Sequence, residues 1–291
     1  MGGVAVSARN LGLEGPRGWA FRGVRLDAEP GALIAIEGPS GSGRTCLLLA
    51  LTGRMKATEG TAVVGESPLP KRMAAVRRVS ALANVAGVTE LDPALTVGEH
   101  LRERALLQRR FADSLRGLLR PRAERRGEER RRIDTALAAA GLDLETLPKG
   151  PRTAVRDLER LEALRLSLAL ALLGRPRLLG VDDTDLKLST AERAEVWAQL
   201  RSIAEAGTTV LAVCSEAPEG AVAVTTGTGR DSQGSPDVEG EAEAAAEAPE
   251  AGQDTQNQHT QNARNAQNAQ NAQNADAPKE AADALAETGR S

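Results

Sequence analysis

The chain has 291 residues, enough for one large domain or two small ones, and its 37 basic and 40 acidic side chains leave a net charge of −3. Residues 230–291 carry four basic against twelve acidic groups, a net of −8, so residues 1–229 form a mildly basic body at +5. Tyr is absent, which excludes a phenol from catalysis or base stacking. His100 and His259 are too few for a histidine metal site, and Cys46 and Cys214 read as two isolated buried thiols.

Val4 to Ser7 and Trp19 to Asp27 read as short strands separated by a Gly/Pro loop, and Ala32 to Glu37 as a buried strand. Gly38-Pro-Ser-Gly-Ser-Gly-Arg-Thr45 comes next, one residue away from the phosphate-binding pattern G-x-x-x-x-G-K-[ST], with Arg44 where the lysine belongs. Cys46 to Thr52 reads as the next helix. In such a loop glycines bring backbone N–H groups close to a phosphate, the helix N-terminus adds its positive dipole end, and the Thr hydroxyl holds magnesium. Gly60 to Val64 and Val76 to Leu82 read as further strands. From Thr96 to about Leu170 the pattern is helical, dense in arginine over 101–132, with Pro121 and Gly127 as breaks and Gly141 as a stop after Ile133 to Ala140. Leu158 to Leu173 gives a long apolar helix. Leu178 to Asp183 reads as a buried strand ending in two carboxylates, Thr190 to Ala206 as a helix, Thr208 to Val213 as a buried strand and Ala221 to Thr225 as a last one.

Strands alternating with helices, several of them wholly apolar, predict an α/β fold: a mostly parallel sheet covered by helices, with a small N-terminal antiparallel β region. From about residue 229 the composition cannot build a core. Glu, Ala, Asn and Gln take over, and 262–275 nearly repeats a three-residue unit, so 229–291 reads as a disordered acidic low-complexity tail. A charged-then-apolar leader is missing, so secretion is not expected. The longest apolar runs fall short of the roughly 20 residues that span a bilayer.

Taken together, the motifs resemble the nucleotide-binding domain of ATP-binding cassette (ABC) proteins, with P-loop NTPase-like architecture over residues 1–228 and a helical subdomain at about 85–165. The resemblance rests on motif order. After the phosphate loop, Arg77 to Asn84 looks like the strand leading to the Q-loop, with Asn84 in place of Gln. Glu90 to Leu101 resembles the family's L-x-P-x-L-T-V-x-E-N-L stretch. Leu158-Glu-Arg-Leu-Glu162 falls at the LSGGQ signature, where only the leucine survives. Leu178-Leu-Gly-Val-Asp182 resembles Walker B, and Asp183 stands at the catalytic glutamate. Ser215 replaces the switch histidine.

The resemblance implies ATP and Mg2+ as ligands. ATP would be held by Gly38, Pro39, Ser40, Gly41, Ser42, Gly43, Arg44, Thr45 and Cys46, and the metal by Thr45 and Asp182. Asp183, Ser215 and Asn84 stand at the catalytic positions. Drift at Arg44, Asn84, Asp183 and Ser215 implies weak or impaired hydrolysis, because a planar guanidinium does not replace a point-like ammonium in a tight loop. The expected protein is an ATP-binding subunit of a transporter-like complex, or a non-catalytic regulatory or scaffold subunit of one. It would pair with a membrane-spanning subunit and with itself or another cassette, at the cytoplasmic face of the membrane. Trp19 is the nearest ring to the family's adenine platform, although a strand Trp is more often core. Nucleic acid is not favoured: the arginines of 102–132 interleave with glutamates and have one aromatic, Phe111.

Overall fold

The computed structural model describes residues 2–112 and 122–226. Nine strands form two sheets among the described residues. The first is antiparallel, in the order β2-β1-β4-β5, from β1 (Val6–Gly15), β2 (Gly18–Ala28), β4 (Glu59–Val64) and β5 (Ser67–Leu69). β1 and β2 are longer than the sequence predicts and join through a tight turn, because Pro16 and Arg17 are followed by Gly18 at a φ of 98°. The second sheet is parallel throughout, in the order β6-β7-β8-β3-β9, from β3 (Leu33–Glu37), β6 (Ser80–Ala83), β7 (Leu178–Val181), β8 (Thr209–Val213) and β9 (Val222–Thr225).

Alternation along these strands divides the interior in two. Ile34, Ile36, Leu178, Leu211 and Val213 face a core shared with the antiparallel sheet and with Leu47, Leu48 and Leu51 of α1 (Arg44–Leu51). Leu33, Leu179, Val181, Val210 and Ala212 face the opposite core. That second core is completed by α3 (Val97–Ala112), α4 (Arg122–Ala140), α5 (Arg160–Leu172) and α6 (Thr190–Glu205). Being covered on both faces is why the parallel strands read as unbroken apolar runs. Gly180 lets α1 approach β7: a Cβ there would lie 2.7 Å from Leu82 Cδ2 and 3.0 Å from Leu48 Cδ1.

Three expectations change. Val76 to Leu82 is not one strand: α2 (Met73–Val79) precedes β6. Its Val-Arg-Arg-Val run mimics a strand, yet only Val76 is buried, as suits one turn against a core. Gly127 does not break α4, which runs through it and stops at Gly141, with a φ of 67°. There the Gly141 N–H reaches Ala138 O at 3.1 Å and the Leu142 N–H reaches Leu137 O at 3.0 Å, a Schellman closure. The apolar helix begins at Arg160 rather than Leu158. Pro121 and the acidic tail lie outside the described residues.

Candidate nucleotide site

A parallel sheet brings the carboxyl ends of its strands to one edge, where ligands of open α/β folds bind. Here that edge collects the loop after β3, Asn84 after β6, Asp182 and Asp183 after β7, Cys214 and Ser215 after β8, and Thr226 after β9. The loop needs its glycines. Gly38, Gly41 and Gly43 have φ of 149°, 81° and 82°. A Cβ on Gly43 would sit 2.1 Å from Ala20 O of β2, so the loop is pressed against the antiparallel sheet. A Cβ on Gly41 would meet nothing within 4 Å. Ser42 N–H closes a turn onto Pro39 O at 3.1 Å, and the helix ladder begins with Leu47 N–H on Gly43 O at 2.9 Å.

Asp182 is buried and fully engaged. Its Oδ2 accepts the Thr45 hydroxyl at 2.8 Å, its Oδ1 accepts the Asp183 N–H at 3.1 Å, and its main-chain carbonyl accepts the Asn84 side-chain amide at 2.8 Å. Burial pushes its carboxyl above the ordinary range; the Thr45 hydroxyl pulls it partly back, and the neighbouring Asp183 charge adds to the rise. Two oxygens 2.8 Å apart at the mouth of a glycine loop are a donor set that suits a hard, octahedral cation such as Mg2+. Among the described residues no cluster of three or more His, Cys, Asp or Glu could hold a metal. A magnesium ion held by Thr45 and Asp182 would take the rest of its shell from phosphate oxygens and water.

Arg44 makes its side-chain contact at the end of β8, where its guanidinium donates to the Cys214 carbonyl. Ser215 is exposed, and its N–H donates to Asp185 Oδ2 at 2.6 Å. Thr184 is buried, and its hydroxyl donates to Val213 O at 2.8 Å. The segments after β7 and β8 are thus tied together. Asp183 holds a left-handed φ of 48°, and Asn84 one of 56°; Asp and Asn tolerate this conformation better than most side chains. Asn84 N–H donates to the buried Ser167 Oγ of α5 at 2.7 Å, so the residue is fixed at both ends, against Asp182 and α5. Neither Asp182 nor Asp183 caps α6, whose N-cap is Ser189.

At the signature position, Glu159 is the N-cap of α5 and its N–H donates to Glu162 Oε2 at 2.9 Å. The segment is an ordinary helix start. Trp19 is half-buried, and the Arg22 guanidinium lies 4.5 Å from its ring centroid, itself bonded to Glu59 at 3.0 Å. Cys46 is half-buried rather than buried, while Cys214 is buried and its thiol is pushed up to about 12, chiefly by burial and then by Asp185 and Glu37. Arg104 donates to Leu170 O at 3.2 Å and Arg132 pairs with Glu128, whereas the side chains of Arg109 and Arg110 lie outside the described residues. Ser167, Thr184, Asp185 and Thr226 are not legible as site residues in the sequence. A lone serine inside the apolar run Leu164–Leu173 is the one such signal, since a buried hydroxyl needs a partner.

A parallel five-stranded sheet, a strand–glycine-loop–helix unit and a buried aspartate bonded to the loop's Thr define a P-loop NTPase fold. Residues 21–185 match the family model for ABC transporters, and the chain belongs to that family as an ABC nucleotide-binding domain. It is 30% identical over 187 residues to Nod factor export ATP-binding protein I of Cupriavidus metallidurans, covering 64% of this chain and 54% of that one. It is 32% identical over 197 residues to Fe(3+) ions import ATP-binding protein FbpC of Streptomyces avermitilis, covering 67% of this chain and 51% of that one. The chain thus spans about half the length of these relatives. In fold it resembles an ATP-binding cassette of an ABC transporter, with a TM-score of 0.60 at 17% identity over 79% of this chain and 89% of that one. It also resembles a dimeric cassette bound to ADP and Pi, with a TM-score of 0.55 at 23% identity over 72% and 88%. Among the described residues no helix is long and apolar enough to cross a membrane.

Proposed function

We propose that this chain is the ATP-binding subunit of an ABC transporter-like complex that binds Mg-ATP at the 38–46 loop and hydrolyses it weakly or not at all. The observation that carries the reading is the Thr45 hydroxyl 2.8 Å from the Asp182 carboxylate beside the open glycine loop. Main-chain N–H groups of Ser40, Gly41 and Gly43 to Thr45 would hold phosphate oxygens, the Ser42 N–H being used by the turn onto Pro39 O, and Thr45 and Asp182 would hold Mg2+, which when bound neutralises developing phosphate charge. Slow turnover is supported by three placements. The Arg44 guanidinium is committed to the Cys214 carbonyl. Asp183 is one methylene shorter than a glutamate and would reach less far toward an attacking water. Ser215 can donate one hydrogen bond but carries no charge.

The same Arg44 contact favours a second reading, a non-catalytic nucleotide-binding or scaffold subunit that regulates a membrane partner. In either case residues 1–228 act as the cassette, and the chain sits peripherally at the cytoplasmic face of the membrane through a membrane-spanning subunit. It would dimerise with itself or with another cassette. The relatives named for export and import support a transport role without fixing direction or cargo. Calorimetric titration with Mg-ATP beside a turnover assay tests both readings. Saturable binding with turnover well below the ordinary enzyme range of about one per second or more supports them. Absence of binding up to several millimolar overturns the first reading and leaves only a scaffold role, and ordinary turnover overturns both impaired hydrolysis and the non-catalytic reading.

A further inference from the structure

Thr226 follows β9 and is 184 residues from Ser42 in the chain, yet the two hydroxyls lie 2.6 Å apart, both side chains buried. Thr226 is itself fixed: its N–H donates to Glu37 O at 2.9 Å, and its hydroxyl reaches the same carbonyl at 3.2 Å. Glu37 is the residue from which the loop departs, and its carboxylate accepts the Thr225 hydroxyl and the Ala217 N–H, both at 3.1 Å. The fit on the loop side is tight. A Cβ on Gly38 would lie 2.7 Å from Ser42 Oγ and 2.7 Å from Thr226 Oγ1. The first and fifth residues of the loop therefore both pack on one threonine hydroxyl. Nothing in the phosphate-loop pattern calls for a residue at this distance in sequence.

We infer that Thr226 is a positioning residue of the nucleotide site, holding Ser42 and its turn onto Pro39 so that the N–H groups on either side, of Ser40, Gly41 and Gly43 to Thr45, converge on phosphate. The inference rests on the proposed binding of Mg-ATP at this loop. Thr226 would touch no nucleotide atom; it acts through Ser42 and Gly38. An isosteric valine keeps the volume but leaves a buried serine hydroxyl without its partner and frees the loop to rotate. Since a ligand gains affinity when its site is already in the bound geometry, the loss appears as weaker binding rather than as unfolding.

The test is Mg-ATP calorimetry on the full chain, with wild type, Thr226→Val, Thr226→Ser, Ser42→Ala and the double variant Ser42→Ala/Thr226→Val. Thr226→Val and Ser42→Ala should each raise Kd about tenfold, the effect of one buried hydrogen bond of the stronger kind. Thr226→Ser should bind as wild type, and the double variant should be no weaker than the weaker single, because the two groups act as one pair. Folded single variants that bind as wild type, or additive losses in the double, overturn the inference and leave the proposed function standing. If Thr226→Val does not fold, Ser42→Ala and Thr226→Ser decide in the same way. A wild type without saturable binding overturns the proposed function, and this inference with it.

Discussion

At the scale of single residues, the site holds a carboxylate that costs stability and a cation that contributes it. Asp182 has its carboxyl raised by burial. A carboxyl raised in the folded state contributes stability that is present below the unfolded value, near 4, and is lost as pH rises through the folded value. At neutral pH the buried charge is a cost, borne for whatever the site binds. Asp182→Asn should therefore melt higher than wild type at pH 7, with the gap closing as pH falls from the raised folded value toward the unfolded value near 4. Mg-ATP should raise the wild-type melting temperature and leave the variant's unchanged; thermal melts across pH with and without nucleotide check both. Arg44 works the other way. Arg44→Ala removes a charged donor from the Cys214 carbonyl and should cost about 1–2 kcal/mol in urea titration. Arg44→Lys combined with Asp183→Glu should raise turnover more than either change alone, since both groups act on one transition state. A double variant no faster than the better single would contradict that.

At the scale of elements, the turns between strands rest on a few buried hydroxyls. Thr209 is the clearest. It is fully buried at the start of β8; its hydroxyl donates to Val4 O at 2.7 Å and accepts the N–H of Val4 at 3.0 Å and of Gly31 at 2.9 Å. One hydroxyl thus ties the N-terminal segment, the turn before β3 and the central sheet. Thr209→Val leaves two N–H groups and a carbonyl without that partner and should cost about 3 kcal/mol, read as a lower urea midpoint at unchanged slope. The unbroken apolar strands and the glycine stop at Gly141 are legible in the sequence, because a buried parallel strand and a left-handed helix end each demand one kind of residue. Thr209 is not. Its threonine-threonine strand start looks the same whether the hydroxyl meets water or three main-chain groups. α2 reads as a strand because its β-branched valines run straight into the apolar Ser80–Ala83 stretch, although the three-residue spacing of Val76 and Val79 is helical. In the site, the loop glycines, Thr45 and Asp182 are legible since phosphate and metal geometry constrain them. The direction of the Arg44 side chain and the Thr226 contact are not, because both depend on where β8 and β9 end in space.

At the scale of the whole molecule, two expectations concern what lies around the cassette. From their composition residues 230–291 are expected to add no packed core, so their removal should leave the melting temperature and Mg-ATP affinity unchanged. A cooperative loss of stability on that truncation would contradict it. Glu159 and Glu162 at the start of α5 stand where the family offers glycines to a facing subunit's nucleotide, and their charge would repel phosphate. Mg-ATP alone should therefore not drive a tight homodimer even with Asp183→Asn. Sedimentation showing an ATP-dependent dimer without a membrane partner would reverse that expectation.

The Ser42–Thr226 contact also bears on how the protein is cut for study. The last residue of β9 is Thr225, and a boundary drawn from secondary structure alone would end a recombinant fragment there. Such a fragment would keep every strand and helix found among the described residues, yet it would lack the hydroxyl 2.6 Å from the phosphate loop. A weak nucleotide affinity measured on it would then be a property of the cloning boundary. A fragment ending at residue 228 removes the acidic tail and keeps the contact; comparing the two reads the influence of residues 226–228, and comparing the longer one with the full chain reads that of the residues beyond them.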